Sequence, residues 1–325
     1  MKNVMKRHEG VVFSPGNVPY DSVLTFNAAV IKRGKEDYAM VFRNDFFEPG
    51  TKDLTRTNLG LAFSKNGLQW KVEKEPLFEL RTDKIHRAYD PRITVIDGTM
   101  YLCFAIDSVY GVQGGIARLS DDFQVDEILT ISTPDNRNMA LFPEKINGKY
   151  VRLERPMPVY GRYGAFDEKF DIWMSESPDM VHWGNAKVVL EADDVEFSNC
   201  KIGPGAPPIK TKDGWLVVFH AVDNDPSRGK NGWEEKWTKR YTIGVMLLDL
   251  EDPSKIIGVA KEPLMIPETE DELTGGFRNN ALFPCATILE EDDTVRIYYS
   301  AGDMYVKTAT AKLDDIVALC KGELA

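Results

Sequence analysis

Charged and amide side chains gather at the ends of apolar segments at five places along the 325-residue chain. The five clusters are Phe42-Arg43-Asn44-Asp45, Tyr89-Asp90-Pro91-Arg92, Asp135-Asn136-Arg137-Asn138, Cys200-Lys201-Ile202-Gly203 and Phe219-His220-Ala221-Val222-Asp223. Polar groups beside apolar strands are costly to bury unless they find partners. Their recurrence therefore predicts a fold that gathers strand ends around one polar pocket.

Asp90 is the first candidate for acid–base chemistry. Pro91 follows it, which predicts an extended backbone at Asp90, and Arg92 is expected on the same face of the strand, two residues on. The structural alternative is an ion pair of Asp90 with Arg92 or Arg87. The residues alone favour that alternative, because perturbed carboxylates are often merely paired.

Four basic side chains could together bind an anion: Arg137, Arg155, Lys201 and His220. If they converge on one cavity they repel one another and require an anion between them. Guanidinium forks and an ammonium group suit phosphate oxygens, and a histidine adds a further donor. The alternative is that they never converge and each pairs with an acid such as Glu154, Asp135 or Asp223. The residues alone leave these two interpretations even.

Aromatic and amide side chains near the clusters could form a platform for a sugar, although such residues more often belong to a core. They are Phe26, Asn27, Tyr89, Phe142, Phe283, Trp233 and Trp237. The polar segment 223–240 is predicted to be either a loop over the pocket mouth or a solvated excursion.

Short apolar strands and tight turns dominate the rest of the chain. Hairpin signals recur between apolar runs at Asn66-Gly67, Asp97-Gly98, Asn147-Gly148 and Asp213-Gly214. A cassette of four strands repeats five times, which predicts an all-β fold, a five-bladed β-propeller with its site on the central axis. A pair of β-sandwiches is the alternative. The propeller is favoured because the clusters recur at one place in each cassette.

The elements predict one domain, residues 1–325, with a short N-terminal extension. The last strand cassette is expected to end in Leu313-Asp314-Asp315, and residues 313–319 have the spacing of a short C-terminal helix. No Pro-, Gly- or Ser-rich linker divides the chain.

Composition excludes several classes of function. The net charge of −11 argues against nucleic acid and against an anionic membrane as partners. The first nine residues have no apolar signal region, and no apolar run is long enough to span a bilayer, so a cytoplasmic protein is expected. The four cysteines are far apart and predict free thiols. The four histidines form no ligand pair, so no metal site is expected.

Taken in order, a set of motifs resembles glycoside hydrolase family 130, the β-mannoside phosphorylases. The motifs are Tyr89-Asp90-Pro91-Arg92, Asn136-Arg137-Asn138 with Leu141-Phe142-Pro143, Lys145-Ile146-Asn147-Gly148-Lys149-Tyr150, Arg155-Pro156, Ser175-Glu176-Ser177-Pro178-Asp179-Met180 with Trp183-Gly184, Lys201-Ile202-Gly203 and Phe283-Pro284-Cys285-Ala286. Each motif alone is weak, whereas the ordered combination is specific and covers nearly the whole chain.

The resemblance implies a five-bladed propeller that catalyses inverting phosphorolysis of terminal β-mannosides to α-mannose 1-phosphate. It implies Asp90 as the general acid. It implies a phosphate-binding set of Arg137, Arg155, Lys201 and His220, with Asn138 and Tyr241 as additional candidates. The mannosyl ring is expected against Asn27, Arg43, Asp45 and Asp303, and Arg92 is counted with this substrate-binding set. Phosphate is a co-substrate and no cofactor is expected. Because relatives are often oligomers, a homo-oligomer is an expectation by resemblance alone.

Three other functions stay open at this point. Some members of the family are hydrolases, for which Glu196, Glu234 or Glu235 could supply a second carboxylate. The linkage could be β-1,4 rather than β-1,2. The chain departs from the better-known β-1,4 members at Met139-Ala140, at Glu144 and in segments 157–163 and 223–240, which favours β-1,2. The third alternative is a non-catalytic propeller that binds a glycan or a protein.

Overall fold

The computed structural model describes residues 4–157, 169–228 and 237–324. The strands of these residues form five antiparallel sheets, four of which come from one continuous stretch of chain each. They are arranged as the five blades of a β-propeller, as the repeated cassette predicts, and the alternative of two sandwiches is wrong.

In blades 1 to 3 the strands follow one another from the centre outwards in chain order. Blade 1 consists of β2 (Leu24–Gly34), β3 (Asp37–Phe46), β4 (Arg56–Ser64) and β5 (Lys71–Val72). Blade 2 consists of β6 (Ile85–Ile96), β7 (Thr99–Ser108), β8 (Gly111–Leu119) and β9 (Val125–Ile131). Blade 3 consists of β10 (Asn136–Leu141), β11 (Tyr150–Pro156), β12 (Ile172–Ser177) and β13 (Gly184–Leu190).

Blades 4 and 5 depart from this plain order. Blade 4 consists of β14 (Lys201–Pro204), β16 (Trp215–Asn224), β17 (Lys239–Leu248) and β18 (Ile256–Val259), and the short β15 (Ile209–Lys210) also pairs with β16. Blade 5 consists of β19 (Leu282–Leu289), β20 (Thr294–Ala301), β21 (Tyr305–Lys312) and β1 (Lys6–Arg7).

The outermost strand of blade 5 comes from the beginning of the chain. Lys6 pairs with Thr310 and Arg7 with Ala309, so β1 completes the sheet that β21 would otherwise leave open. The N-terminal segment that the sequence predicted as a short extension thus supplies a strand to blade 5. The expectation that Leu313-Asp314-Asp315 would form the outer strand of the last cassette is wrong, whereas the short C-terminal helix predicted over residues 313–319 is confirmed, because Leu313–Lys321 is helical.

Helices are short and few within the described residues. They are α1 (Glu270–Leu273) and α2 (Leu313–Lys321), with 3-10 turns at Pro15–Asn17, Ala192–Asp194 and Pro226–Arg228. The helix α2 ends at Gly322, whose φ of 71° provides the left-handed C-terminal cap that glycine adopts without strain. Among the described helices, none has the length and apolar character needed to cross a membrane.

The hydrophobic core lies between neighbouring blades. Val41 of blade 1 packs in one cluster with Leu102 of blade 2, and Phe42 on the next position packs towards Tyr298 of blade 5. Because each blade is covered on both faces, β3 is buried at nearly every position rather than at alternate ones. The innermost strands contact one another around the centre and hold their polar residues on a rigid frame.

Candidate active site

A cavity of about 760 Å³ lies at the centre of the propeller and is lined by residues from all five blades. Seven of the side chains predicted for the site line it: Asn27, Arg43, Asp45, Asp90, Arg137, Tyr241 and Asp303. Four of these are at least 91% buried as residues, namely Asn27, Arg43, Asp45 and Asp90. The fold thus brings together groups that are up to 276 positions apart in sequence.

Three neighbouring blades present their key polar residues from β-bulges in their innermost strands. The bulges fall at residues 27–28, 90–91 and 138–139, where two residues face a single residue of the next strand. The first residue of each bulge has a positive φ: 48° at Asn27, 55° at Asp90 and 60° at Asn138. Asn and Asp tolerate this conformation better than other residues that carry a side chain.

The bulge corrects two predictions about the strand that carries Asp90. The backbone at Asp90 is left-handed, not extended, because the tertiary structure overrides the preference that Pro91 imposes. The extra residue also breaks the two-residue alternation, so Arg92 does not line the cavity. The guanidinium of Arg92 instead donates to the backbone carbonyls of Pro91, Gly205 and Pro284.

Asp90 is held from three sides inside the cavity. Its Oδ1 accepts a hydrogen bond from Asn27 Nδ2 at 2.6 Å and one from Arg43 Nη1 at 3.1 Å. Its Oδ2 lies 3.7 Å from Arg137 Nη2. The predicted alternative of a pair with Arg92 or Arg87 does not occur, since Arg87 forms its ion pair with Asp107 at 2.6 Å.

The charges around Asp90 determine its protonation state. Burial alone would raise the pKa of this carboxyl, but Arg43, Arg137 and Arg92, together with the hydrogen bond from Asn27, lower its pKa to about 2. Asp90 is therefore a carboxylate at neutral pH when the cavity holds no ligand.

Arg43 is held firmly inside the cavity by an acid and by two aromatic rings. Its Nε and Nη2 donate to the two carboxylate oxygens of Asp45 at 2.9 and 2.7 Å. Its guanidinium also lies over the rings of Phe26 and Tyr89, at 4.3 and 4.7 Å from their centroids. Bidentate pairing and ring contacts fix the orientation of a guanidinium, so Arg43 is a rigid part of the site.

The predicted cationic side chains gather on the side of Asp90 that faces blades 3 and 4. Arg137 and Arg155 are cross-strand partners on β10 and β11. Arg155 Nη1 lies 2.9 Å from His220 Nε2. Lys201 and Arg155 both lie over the ring of Phe170, at 5.8 and 5.6 Å. We call these four residues, Arg137, Arg155, Lys201 and His220, the cationic cluster.

His220 is the buried centre of the cationic cluster. Burial, followed by the charges of Arg155, Arg137 and Lys201, lowers the pKa of His220 well below its usual value, so the ring is neutral. Because the guanidinium of Arg155 can only donate, His220 Nε2 accepts and the proton is on Nδ1. That Nδ1 is buried and has no hydrogen-bond partner among the described residues. Because buried donors are normally paired, its N–H is available to a bound acceptor.

Aromatic rings connect His220 to the lining of the cavity. Its ring contacts Phe283 at 4.5 Å and stacks on Tyr241 at 6.1 Å, and Tyr241 in turn is parallel to Trp237 at 5.8 Å. Of the aromatic residues that the sequence suggested as a sugar platform, Phe26, Tyr89, Trp237 and Phe283 line the cavity, and Tyr241 lines it with them. Phe142 is wrong as a member of this platform, because it is buried between blades 3 and 4.

Three residues of the predicted phosphate-binding set do not line the cavity. Arg155, Lys201 and His220 lie behind the lining, beyond Arg137, Tyr241 and Phe283. Asn138 is also set back, and its Oδ1 accepts a hydrogen bond from Arg137 Nε at 3.3 Å. Ligands that use the whole cationic cluster must therefore reach past the lining.

Arg278 lines the cavity, although the sequence patterns did not predict it there. Its guanidinium lies 4.6 Å from the centroid of Trp237 and pairs with Asp303 at 3.3 Å. Burial raises the pKa of Asp303, and Arg278 opposes that rise. The signal was present in the run Gly275-Gly276-Phe277-Arg278, but this polar run precedes its apolar strand rather than following one.

Of the acids considered for a hydrolase, only Glu196 falls within the described residues. Glu196 is exposed and does not line the cavity. Glu234 and Glu235 lie outside the described residues, as do Trp233 and most of the segment 157–163. No group of three or more His, Cys, Asp or Glu side chains that could hold a metal ion occurs in residues 4–157, 169–228 and 237–324.

The comparison with known families agrees with this geometry. The model of glycoside hydrolase family 130, described as beta-1,4-mannooligosaccharide phosphorylase, matches residues 2–322. The chain belongs to glycoside hydrolase family 130. It is 33% identical over 272 residues to the 1,2-beta-oligomannan phosphorylase of Thermoanaerobacter sp. (strain X514), covering 80% of each chain.

Two further family 130 proteins show how widely the similarity extends. The chain is 31% identical over 333 residues to the Beta-1,4-mannooligosaccharide phosphorylase of Ruminococcus albus, covering 98% of this chain and 92% of the relative. The solved structure of the beta-1,2-mannobiose phosphorylase from Listeria innocua superposes with a TM-score of 0.81 at 23% identity, covering 99% of this chain and 100% of that one. At that identity the superposition supports the fold alone.

Proposed function

We propose that this family 130 chain catalyses reversible phosphorolysis of the terminal β-mannosyl unit of β-1,2-linked mannobiose and mannooligosaccharides. The reaction inverts the anomeric centre and gives α-mannose 1-phosphate. One observation carries the proposal: the cationic cluster converges on a buried region directly beside the carboxylate of Asp90. Arg137, Arg155 and Lys201 supply positive charge there and the buried Nδ1 of His220 supplies a further donor, a combination that suits the oxygens of phosphate.

The residues of the cavity have distinct roles in this proposal. Phosphate, held by the cationic cluster with help from Asn138 and Tyr241, attacks the anomeric carbon. Asp90 gives its proton to the leaving oxygen, directly or through a sugar hydroxyl. The mannosyl ring is held by Asn27, by the clamped pair Arg43–Asp45 and by Asp303. An inverting hydrolase needs a second carboxylate to activate water, whereas phosphate is already a nucleophilic anion, so the cations replace that base.

The preference for a β-1,2 linkage rests on the relatives rather than on the cavity. Three of the similar proteins are named for β-1,2-mannosides, one of them the Beta-1,2-mannobiose phosphorylase of Thermoanaerobacter at 32% identity. Of the sequence departures that favoured this linkage, Met139 is buried in the core and Glu144 pairs with Lys210 on the surface. Neither touches the cavity.

A cytoplasmic location and independence of any cofactor or metal complete the proposal. Cys103, Cys200, Cys285 and Cys320 are all buried thiols, which is typical of proteins in a reducing compartment. The reaction itself needs only the mannoside and inorganic phosphate, because no electron transfer or Lewis acid enters the displacement.

The decisive experiment compares β-1,2-mannobiose with and without phosphate. Purified protein should form equal amounts of α-mannose 1-phosphate and mannose, and only when phosphate is present. β-1,4-Mannobiose is the control for linkage and should react at least about ten times more slowly, the effect of about 1.4 kcal/mol in the barrier. Mannose released at the same rate without phosphate would show that the protein is a hydrolase. Faster reaction of β-1,4-mannobiose would show that the enzyme prefers the β-1,4 linkage.

A further inference from the structure

We propose that Arg137 couples phosphate binding to protonation of Asp90. An oxyanion in the cationic cluster draws the Arg137 guanidinium away from Asp90 Oδ2, and the carboxylate then takes up the proton that it later gives to the leaving sugar. This inference rests on the proposed function, because it assigns phosphate to the cationic cluster and the role of acid to Asp90.

The two oxygens of Asp90 have different surroundings. Oδ1 already accepts two hydrogen bonds, from Asn27 and Arg43. Oδ2 is buried and has no hydrogen-bond partner in the part of the chain that the structure describes. Arg137 Nη2 lies 3.7 Å from this oxygen. A proton can therefore be added at Oδ2 without breaking a hydrogen bond, and Arg137 is the charge that opposes it.

The two arginines beside Asp90 differ in how firmly they are held. Arg43 is fixed by Asp45 and by the rings of Phe26 and Tyr89, and its side chain is only 11% exposed. Arg137 makes one long hydrogen bond, at 3.3 Å to Asn138, lies 5.7 Å from the centroid of Tyr89, and is 27% exposed. Of these two cations, Arg137 is the one whose guanidinium can turn at little cost.

Arg137 also faces the place where the anion is expected. Its register partner across the β10–β11 pair is Arg155, which contacts His220. An oxyanion between these groups is within reach of the same guanidinium that now lies beside Asp90. One side chain is thus shared by the acid and by the anion site, and it cannot satisfy both fully.

The electrostatic consequence follows from the charges around Asp90. The groups that act on it are Arg43, Arg92 and Arg137 as cations, and Tyr89, Cys285 and Asp303 as further titratable neighbours. With the cavity empty, the pKa of Asp90 is lowered to about 2, although a general acid must carry a proton. Loss of one cation and arrival of a neighbouring anion both raise the pKa of a carboxyl group.

Protons balance over the reaction. Hydrogen phosphate forms the new bond from its oxygen to the anomeric carbon, while the glycosidic bond breaks and its electron pair stays on the leaving oxygen. That oxygen takes the proton of Asp90. The mannose 1-phosphate formed still carries the phosphate proton, and releasing it to Asp90 or to solvent closes the cycle with no net proton gained or lost.

Sulfate is the probe that tests this coupling, because it has the shape and charge of the phosphate dianion but does not titrate near neutrality. We would measure sulfate binding by calorimetry at about pH 6 in buffers of different ionisation enthalpy, which gives the protons taken up per bound sulfate. The expected uptake is close to one proton for the wild-type protein. It should vanish in Asp90→Asn and fall by at least about half in Arg137→Gln.

Lys201→Gln is the matched control, because it removes a cation of the same cluster, whereas the charges that lower the pKa of Asp90 are those of Arg43, Arg137 and Arg92. It should weaken sulfate binding but leave the proton uptake per bound sulfate unchanged. If the wild type turns over β-mannoside with phosphate yet binds sulfate without proton uptake, or if uptake survives in Asp90→Asn, the coupling is wrong and the proposed function stands. If neither sulfate nor phosphate binds, both are wrong.

Discussion

At the scale of single residues, the site depends on which side chains are held firmly and which can still move. Asn27 and Arg43 both donate to one oxygen of Asp90, and Asp45 holds Arg43 in turn through two hydrogen bonds. The remaining oxygen faces a cation that is loosely held. A carboxyl group that must give and regain a proton needs one fixed side and one changeable side, and Asp90 has both.

Replacing Asp90 by Asn removes the titrating oxygen while keeping the shape of the side chain. We expect kcat for phosphorolysis to fall about 10²- to 10⁴-fold, the usual contribution of a general acid, with little change in the melting temperature. Steady-state kinetics and thermal melts followed by circular dichroism measure the two effects.

Asp97→Asn is the control for this variant. Asp97 lies just beyond the other end of the same strand, is exposed, and shares a positive φ, 50°, that Asn also tolerates. It should retain wild-type kinetics. An Asp90→Asn enzyme with near wild-type kcat would remove Asp90 from the chemistry.

At this scale the sequence predicted which residues lie near the site better than it predicted the direction of their side chains. The polar clusters, with the family resemblance, predicted that Asn27, Asp45, Asp90 and Asp303 approach one another, and all four line the cavity. The sequence could not place Arg92, because local rules on proline and on strand alternation take no account of a bulge.

At the scale of elements, bulged innermost strands and close-packed glycines set the positions of the side chains. Gly203 of β14 is an example of a close-packed glycine. A Cβ added there would lie 2.5 Å from His220 Cε1, 2.8 Å from His220 Nε2 and 3.0 Å from Arg155 Cδ. Real side chains do not approach so closely, so the absence of a Cβ at this position is what lets β14 support the pair Arg155–His220.

The variant Gly203→Ala tests that support. We expect a loss of about 1–3 kcal/mol in the free energy of unfolding, because the new methyl group overpacks the site. We also expect a higher KM for phosphate, because His220 and Arg155 must shift, with a smaller change in KM for the mannoside. Urea unfolding and phosphate-dependent kinetics report the two effects.

Gly184→Ala provides the comparison, since an added Cβ at Gly184 meets no atom within 4 Å. Its stability should stay within about 0.5 kcal/mol of the wild type. A normal KM for phosphate in Gly203→Ala would mean that the cluster does not bind this substrate or that it repacks freely.

The sequence predicted the strands and hairpins well, but it did not predict the β-bulges within the strands. Turn pairs such as Asp97-Gly98 and Asn147-Gly148 predicted the hairpins correctly, because turn chemistry is local. The bulges depend on contacts between blades. Asn27 and Asn138 look, in sequence, like polar interruptions of a strand, and only the fold shows that each interruption is a bulge with a positive φ.

At the scale of the whole molecule, the propeller is closed by its own N-terminal strand. The sequence predicted five blades from the repeated cassette. It could not predict the closure, since Lys6–Arg7 is too short and too polar to show any periodicity. The closure links the first described residues to blade 5, whose loop after α1 presents Phe277 and Arg278 to the cavity.

Arg7 secures this closure through a buried network. Its Nε donates to Glu272 Oε1 at 3.2 Å and its Nη2 donates to the Ile266 carbonyl at 2.6 Å. Glu272 is fully buried and also accepts a hydrogen bond from the Tyr299 hydroxyl at 2.8 Å. Burial alone would raise the pKa of Glu272, but its hydrogen bonds and the charge of Arg7 lower it below its usual value.

Arg7→Ala should therefore cost about 1–3 kcal/mol in the free energy of unfolding, because the buried Glu272 carboxylate loses this partner but keeps Lys307 at 3.7 Å and the hydrogen bond from Tyr299. Lys6→Ala, on the same strand but exposed, should cost less than about 0.5 kcal/mol.

A carboxyl group with a depressed pKa stabilises the fold above its unfolded-state pKa, and that stability is lost as the pH falls. The penalty in Arg7→Ala should thus shrink below about pH 4.5, and adding Glu272→Gln should recover part of it at neutral pH. Equal stability of Arg7→Ala and Lys6→Ala in urea unfolding would show that β1 closes the ring through its backbone pairing alone.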